Sequence, residues 1–237
     1  CVQGNRISES VTKLANAGFK NIELSGGTDP YPGLIDDLLN LKEKHQLNLL
    51  CHNYFPPPPV PFVLNLASLD NEIHDLSVEH LRGAIAASKR LGGNKFAFHA
   101  GFLINIPLSQ IGLKIDRQEL FDREKSLRQF CEEFDRLHGT DSGVELYIEN
   151  NVLSAENYKS FNQEVPLFLC DSKGYQELAE RISFKPLLDV AHLKVSCKTL
   201  GLDFQNELEF FNSKTDYVHV SDNDGRRDSN EALRSKT

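Results

Sequence analysis

The chain has 237 residues, 40% of them hydrophobic, which suits a single α/β domain spanning residues 1–237. Its formal net charge of −8 argues against a dedicated nucleic-acid binder, because neutralising phosphates takes Lys and Arg. Five cysteines (Cys1, Cys51, Cys131, Cys170 and Cys197) are odd in number and lack CxxC spacing, so free thiols in a reducing, cytoplasmic setting are expected rather than a disulfide framework. No apolar run reaches membrane-spanning length, and no signal-peptide pattern opens the sequence. The chain starts at Cys1 and contains no Met, so it is expected to be a trimmed native sequence or one whose methionines are replaced or left out.

In chain order, Ser8 to Ala17 reads as a helix, with Val11, Leu14 and Ala15 at helical spacing and Gly18 as its stop. Asn21 to Leu24 is a short strand that runs into Ser25-Gly26-Gly27, read as a turn. Leu34 to His45 is an amphipathic helix, and Leu47 to Cys51 is a strand closed by His52. Pro56 to Pro59 cannot join a sheet ladder and must form a rigid loop. Ser77 is predicted to cap a long helix ending at Gly92-Gly93. Lys95 to Phe98 is a strand closed by His99, and Arg117 to Leu137 reads as a long charged helix. Then come a strand at Val144 to Ile148, a helix at Gly174 to Ile182, a strand at Pro186 to Val190, a helix at Phe204 to Phe211 and a strand at Tyr217 to Val220. Such alternation implies a parallel sheet.

Most of these strands share one feature. The short apolar run stops at a residue that can bind a metal: His52, His99, Glu149, Asp189 (with His192 three residues on) and His219. In a doubly wound sheet the site sits at one crevice, whereas a βα barrel draws groups from nearly every strand end. The pattern therefore predicts a barrel with Glu149 at the centre of its mouth. Imidazole and carboxylate suit Zn, Mn, Fe or Co. Two carboxylates in one barrel mouth repel unless a cation sits between them. His192 reads as either ligand or substrate contact. His45, His74, His80 and His138 are assigned to solvated surface, and Asp222, Asp224 and Asp228 to a polar loop.

At these residues the chain resembles the xylose isomerase-like TIM barrels, which include sugar and sugar-phosphate isomerases and epimerases and the endonuclease IV-type DNA repair enzymes. The matching pieces are Ile22-Glu23-Leu24, Cys51-His52-Asn53-Tyr54, Phe98-His99-Ala100-Gly101, Ile148-Glu149-Asn150, Asp189-Val190-Ala191-His192 and His219-Val220-Ser221-Asp222. The resemblance implies a (β/α)8 TIM barrel, here lacking the last strand and all of the first but Cys1-Val2. In the isomerase branch it implies one divalent metal (Zn, Mn, Co or Mg) on Glu149, Asp189, His219 and a Glu of the last strand. Glu149 would move the substrate proton through an enediolate. His192, Arg226, Glu23 and Asn150 would be the substrate contacts. The partner would be a small sugar, sugar phosphate or related polyol, with a homo-oligomer left open. In the endonuclease branch His52, His99 and Glu149 would hold one zinc, the isomerase set a second, and His192 with an Asp-x-His a third. Asp228 is present, but Asn230 stands where that His would be. The expected function is a metal-dependent sugar isomerase or epimerase, with a zinc phosphodiesterase acting on abasic DNA as the alternative. A proton-transfer enzyme of this type also needs a second carboxylate opposite Glu149, so the native chain is expected to continue past Thr237 into a strand ending in Glu.

Overall fold

The computed structural model describes residues 5–139 and 143–233. Its six strands are β1 (Asn21–Leu24), β2 (Asn48–His52), β3 (Lys95–His99), β4 (Glu145–Glu149), β5 (Lys185–Asp189) and β6 (Val218–His219). All are parallel and lie side by side in chain order. The helices are α1 (Ile7–Asn16), α2 (Leu34–His45), α3 (Asn71–Arg90), α4 (Arg123–His138), α5 (Ala155–Ser160), α6 (Ser172–Ala179), α7 (Val190–Leu200) and α8 (Phe204–Asn212).

The two faces of the sheet build separate cores. Even-numbered strand residues such as Leu24, Phe96, Phe98, Ile148 and Leu188 join helix residues such as Val11, Leu38, Leu81 and Phe134 in one large cluster. Odd-numbered ones (Ala97, Tyr147, Leu187), with Tyr217 and the partly buried Leu50, form a small cluster of their own. A parallel strand shows alternate residues to opposite faces. The helices therefore cover one face, and the sheet's own side chains fill the other, as in a barrel interior. The sheet curls far enough that β1 meets β6 through side chains, Glu23 accepting hydrogen bonds from the Tyr217 hydroxyl at 2.5 Å and His219 Nε2 at 2.8 Å. This is the TIM-barrel architecture expected from the sequence, seen here as six curled parallel strands. Cys1-Val2, read as a remnant of the first strand, lies outside the described residues.

Several boundaries differ from the sequence reading. Asp70, not Ser77, caps α3, accepting from the amides of Glu72 and Ile73. Ser77 sits nearly two turns inside the helix, where its hydroxyl donates to the Ile73 carbonyl and accepts from the Asn65 amide. Helix α4 begins at Arg123 rather than Arg117, because the Asp122 carboxylate caps it. Helices α5 and α7 are additions. α7 follows β5 with no loop, and Asp189 itself is its N-cap, accepting from the His192 amide at 2.8 Å. His80 is not solvated surface: its Nε2 lies 3.0 Å from the Asn53 carbonyl, and its ring packs by Tyr54 and Phe62. Cys51, Cys131, Cys170 and Cys197 are buried free thiols. Among the described residues, no helix is long and apolar enough to cross a membrane.

Candidate metal centre

The register brings the strand ends together. His99 of β3 stands opposite Glu149 of β4, and Asp189 of β5 opposite His219 of β6. Paired residues of neighbouring strands point to the same face, here the inner one, and His52 at the end of β2 joins them there. Glu149, only 2% exposed, is the meeting point. Its Oε2 lies 3.1 Å from His52 Nε2 and 3.3 Å from His99 Nδ1. Its Oε1 lies 3.4 Å from His219 Nδ1 and 3.9 Å from His192 Nδ1. Asp189 Oδ2 lies 4.0 Å from His219 Nδ1, while Asp189 Oδ1 is held by the cap of α7.

Charge follows from this crowding. Burial opposes ionisation of Glu149, yet the fields of His99 and His52 and the closeness of His219 hold its carboxyl well below the usual carboxylate range. Burial likewise works against a charge on His219, but hydrogen bonds to Glu149 and Glu23 lift it to about 10. His192 is lifted to about 9 against its burial, chiefly by Asp228 and then by Glu149 and Asp189. Burial pushes His99 down to about 4, so its ring is neutral at pH 7 and offers a lone pair. Burial raises the Asp189 carboxyl, despite the nearby His192.

The donor set fits a divalent cation. His99 Nδ1 and Glu149 Oε2 are buried with no hydrogen-bond partner, as ligand atoms are before a metal takes them. Tetrahedral ligands at 2.0–2.2 Å from one ion sit roughly 3.4 Å apart. The 3.1 and 3.3 Å separations around Glu149 Oε2 match that spacing. Three sets of ligand atoms each lie within 4.8 Å of one another: Glu23, His52 and His219; His52, His99 and Glu149; and Glu149, Asp189 and His192.

Beside the cluster opens a cavity of about 860 Å³, with His99, His192 and Asp228 on its wall. Phe102, Ile106, Leu113 and Ile115 make its apolar side, and Arg226 lines it from the loop after β6. Of the four predicted substrate contacts, His192 and Arg226 therefore reach the cavity. Asn150 and Glu23 do not line it. Both polar ends of the Asn150 side chain bind the Asp189 backbone, at 3.0 Å to its carbonyl and 2.7 Å to its amide. Glu23 is engaged by His219 and Tyr217. The sequence reading also missed Tyr54 and Asn151. Tyr54 supports the proline loop by accepting from the Leu64 amide, and Asn151 Nδ2 ties together the Ala100 and Phe168 carbonyls. Asn230 Nδ2 donates to Asp228 Oδ2 at 2.8 Å, while His192 Nε2 lies 3.4 Å from the same oxygen.

The fold and site define a class. The family model described as xylose isomerase-like TIM barrel matches residues 11–235, and the chain belongs to that family. Among solved structures, it resembles a D-tagatose 3-epimerase-like protein (18% identity, TM-score 0.70, covering 95% of this chain and 76% of the other). It also resembles an L-ribulose 3-epimerase (19%, 0.64, 93% and 67%) and endonuclease IV from Thermus thermophilus (16%, 0.57, 99% and 78%). These likenesses speak to the fold. The comparison with curated proteins gives no match.

Proposed function

We propose that this protein is a divalent-metal-dependent isomerase or epimerase acting on a sugar or related polyol. The observation that carries the reading is Glu149, a buried carboxylate among four imidazoles whose neighbours His99 and His192 line the cavity. Glu149, Asp189 and His219 would hold the cation, with His52 and His99 on the other Glu149 oxygen. A cation bound there would polarise a substrate carbonyl. Glu149, held ionised, would take the proton from the carbon next to that carbonyl. His192, its Nδ1 held by the Asn150 carbonyl at 2.8 Å, would turn its Nε2 proton from Asp228, 3.4 Å away, to a substrate oxygen. Arg226 would approach from the open side. The structural likeness to two epimerases supports the choice of substrate class.

A second reading, a zinc phosphodiesterase, is favoured by the compact His52, His99 and Glu149 set and by the likeness to an endonuclease IV. Against it, the Asn230 amide donates to Asp228, so a donor stands where a third ion would need a ligand. The test is to incubate the protein with Mn²⁺ or Zn²⁺ and ketohexoses in deuterated water, and separately with abasic duplex DNA. Metal-dependent incorporation of deuterium at the carbon beside the carbonyl, abolished in Glu149→Gln, is expected. Zinc-dependent nicking of the DNA without exchange would transfer the assignment to the second reading. In parallel, Asp189→Asn should lower metal content far more than Asp228→Asn, and equal content in both would count against the site.

A further inference from the structure

His219 is gripped from both ends. Its Nδ1 faces Glu149 and Asp189, at 3.4 and 4.0 Å, and its Nε2 lies 2.8 Å from Glu23 Oε1. A cation taking Nδ1 would displace the proton that this nitrogen turns toward Glu149, leaving the imidazole one N–H, and the nitrogen that carries it is set by the acceptor it finds. The Glu23 carboxylate is in turn fixed, because its second oxygen accepts from the Tyr217 hydroxyl at 2.5 Å. Tyr217 stands two residues before His219, and its ring packs edge-on against the His219 ring at 5.6 Å. Glu23 comes from β1, at the far edge of the hydrogen-bonded sheet, so this contact joins the sheet's two edges through side chains. His52, whose Nδ1 is 4.0 Å from the same Glu23 oxygen, bounds the carboxylate on another side.

We propose that Glu23 is a positioning residue for the metal centre: it holds the Nε2 proton of His219, so that Nδ1 presents its lone pair beside Glu149 and Asp189. This rests on the cation reading above and assigns Glu23 a place behind the ligand rather than against the substrate. A carboxylate behind a metal-bound imidazole fixes its tautomer and raises its basicity.

The test is zinc affinity by competition with a chromophoric chelator, for the wild-type chain, Glu23→Gln and Tyr217→Phe, with circular dichroism to confirm that each folds. Glu23→Gln is expected to weaken zinc binding by about 10–100-fold, and Tyr217→Phe by less in the same direction. In the Co²⁺-loaded proteins the visible absorption band should shift in Glu23→Gln, since the imidazole field at the ion changes; loss of packing alone would not produce that shift in a folded variant. Wild-type affinity and an unshifted cobalt band in a folded Glu23→Gln would overturn the proposal while leaving the cation reading in place. A wild-type chain that takes up neither zinc nor cobalt would overturn both.

Discussion

Replacing Asn150 by Ala probes the join between β4 and its neighbour β5. Asn150 is wholly buried at the end of β4. Its side chain imitates a rung of the sheet ladder, accepting from the Asp189 amide at 2.7 Å and donating to the Asp189 carbonyl at 3.0 Å. The Asp189 amide has one proton to give, and it goes to Asn150. After truncation that proton lies where water does not reach. The carbonyl suffers less, because at the N-cap of α7 it has a second lone pair for the helix. An orphaned buried amide costs about 1–3 kcal/mol and the lost bond to the carbonyl about 1, so Asn150→Ala should cost about 2–4 kcal/mol. Urea unfolding should show the midpoint falling at unchanged slope. Because Asp189 is a proposed ligand, zinc affinity should fall alongside, by about 10–100-fold. Asn150→Asp keeps the acceptor but turns a carboxylate oxygen toward a carbonyl and adds buried negative charge beside Glu149. It should be at least as damaging at neutral pH and partly relieved in acid, where the protonated carboxyl can donate. A loss below about 1 kcal/mol for Asn150→Ala, with zinc binding intact, would refute the ladder argument.

Gly101→Ala would place a Cβ 2.4 Å from that of Ala67 and 3.2 Å from the Phe130 and Phe168 rings. A cost of about 1–3 kcal/mol in urea unfolding is expected from the overpacking, and a neutral variant would contradict it. At the opposite end of the barrel, the Glu145 carboxyl is held below its usual range first by the hydrogen bond from Lys185, and that of Asp216 first by the bond from Tyr147. Depressed carboxylates contribute stability that is present above their unfolded values, about 4, and is lost as pH falls through the folded ones. Lys185→Gln should therefore flatten the acid limb of the stability–pH curve, and an unchanged limb would show that solvent screens the pair fully. Tyr147→Phe should lower stability by about 1–3 kcal/mol, as hydrogen bonds to charged groups do, while leaving zinc affinity unchanged. Weaker zinc binding in that variant would mean that the two ends of the barrel interior are coupled.

The strands were legible because a buried parallel strand is a continuous apolar run, and each here stops at a polar residue. Asn21 to Leu24 was placed to the residue, and the others within one or two. Helix α7 escaped because no turn residue separates it from β5. Its signals were Asp189 as cap and Gly201, with φ 70°, as terminator. Asp189 thus answers to two demands, proposed ligand and observed cap, and the sequence alone displayed only the first. The residues drawn together at the mouth could be picked out by type and strand position. The direction each side chain faces could not. Glu23 and Asn150 sit beside the site in sequence motifs, but their partners, Tyr217 and the Asp189 backbone, are set by curl and register. A contact 194 residues apart, such as Tyr217 to Glu23, leaves no local pattern.

The barrel interior also explains why so much charge can meet at one end. Two tyrosine rings, Tyr147 and Tyr217, lie edge to face at 5.3 Å in the middle layer, with Leu50, Ala97 and Leu187 around them. Their hydroxyls leave in opposite directions. Tyr147 reaches down to Glu145 and Asp216, where Lys95 and Lys185 balance the carboxylates. Tyr217 donates up to Glu23 at the mouth. The aromatic pair is thus a plug with a polar handle at each face, which is how a tyrosine tolerates full burial. It separates an ion-paired floor from the histidine–carboxylate mouth by a layer with no charge in it. A single-residue slip of β4 would exchange Tyr147 and Glu149 for Leu146 and Ile148 on the inner face. That slip would remove the plug and the central carboxylate together, so the packing that fixes the register also fixes the chemistry.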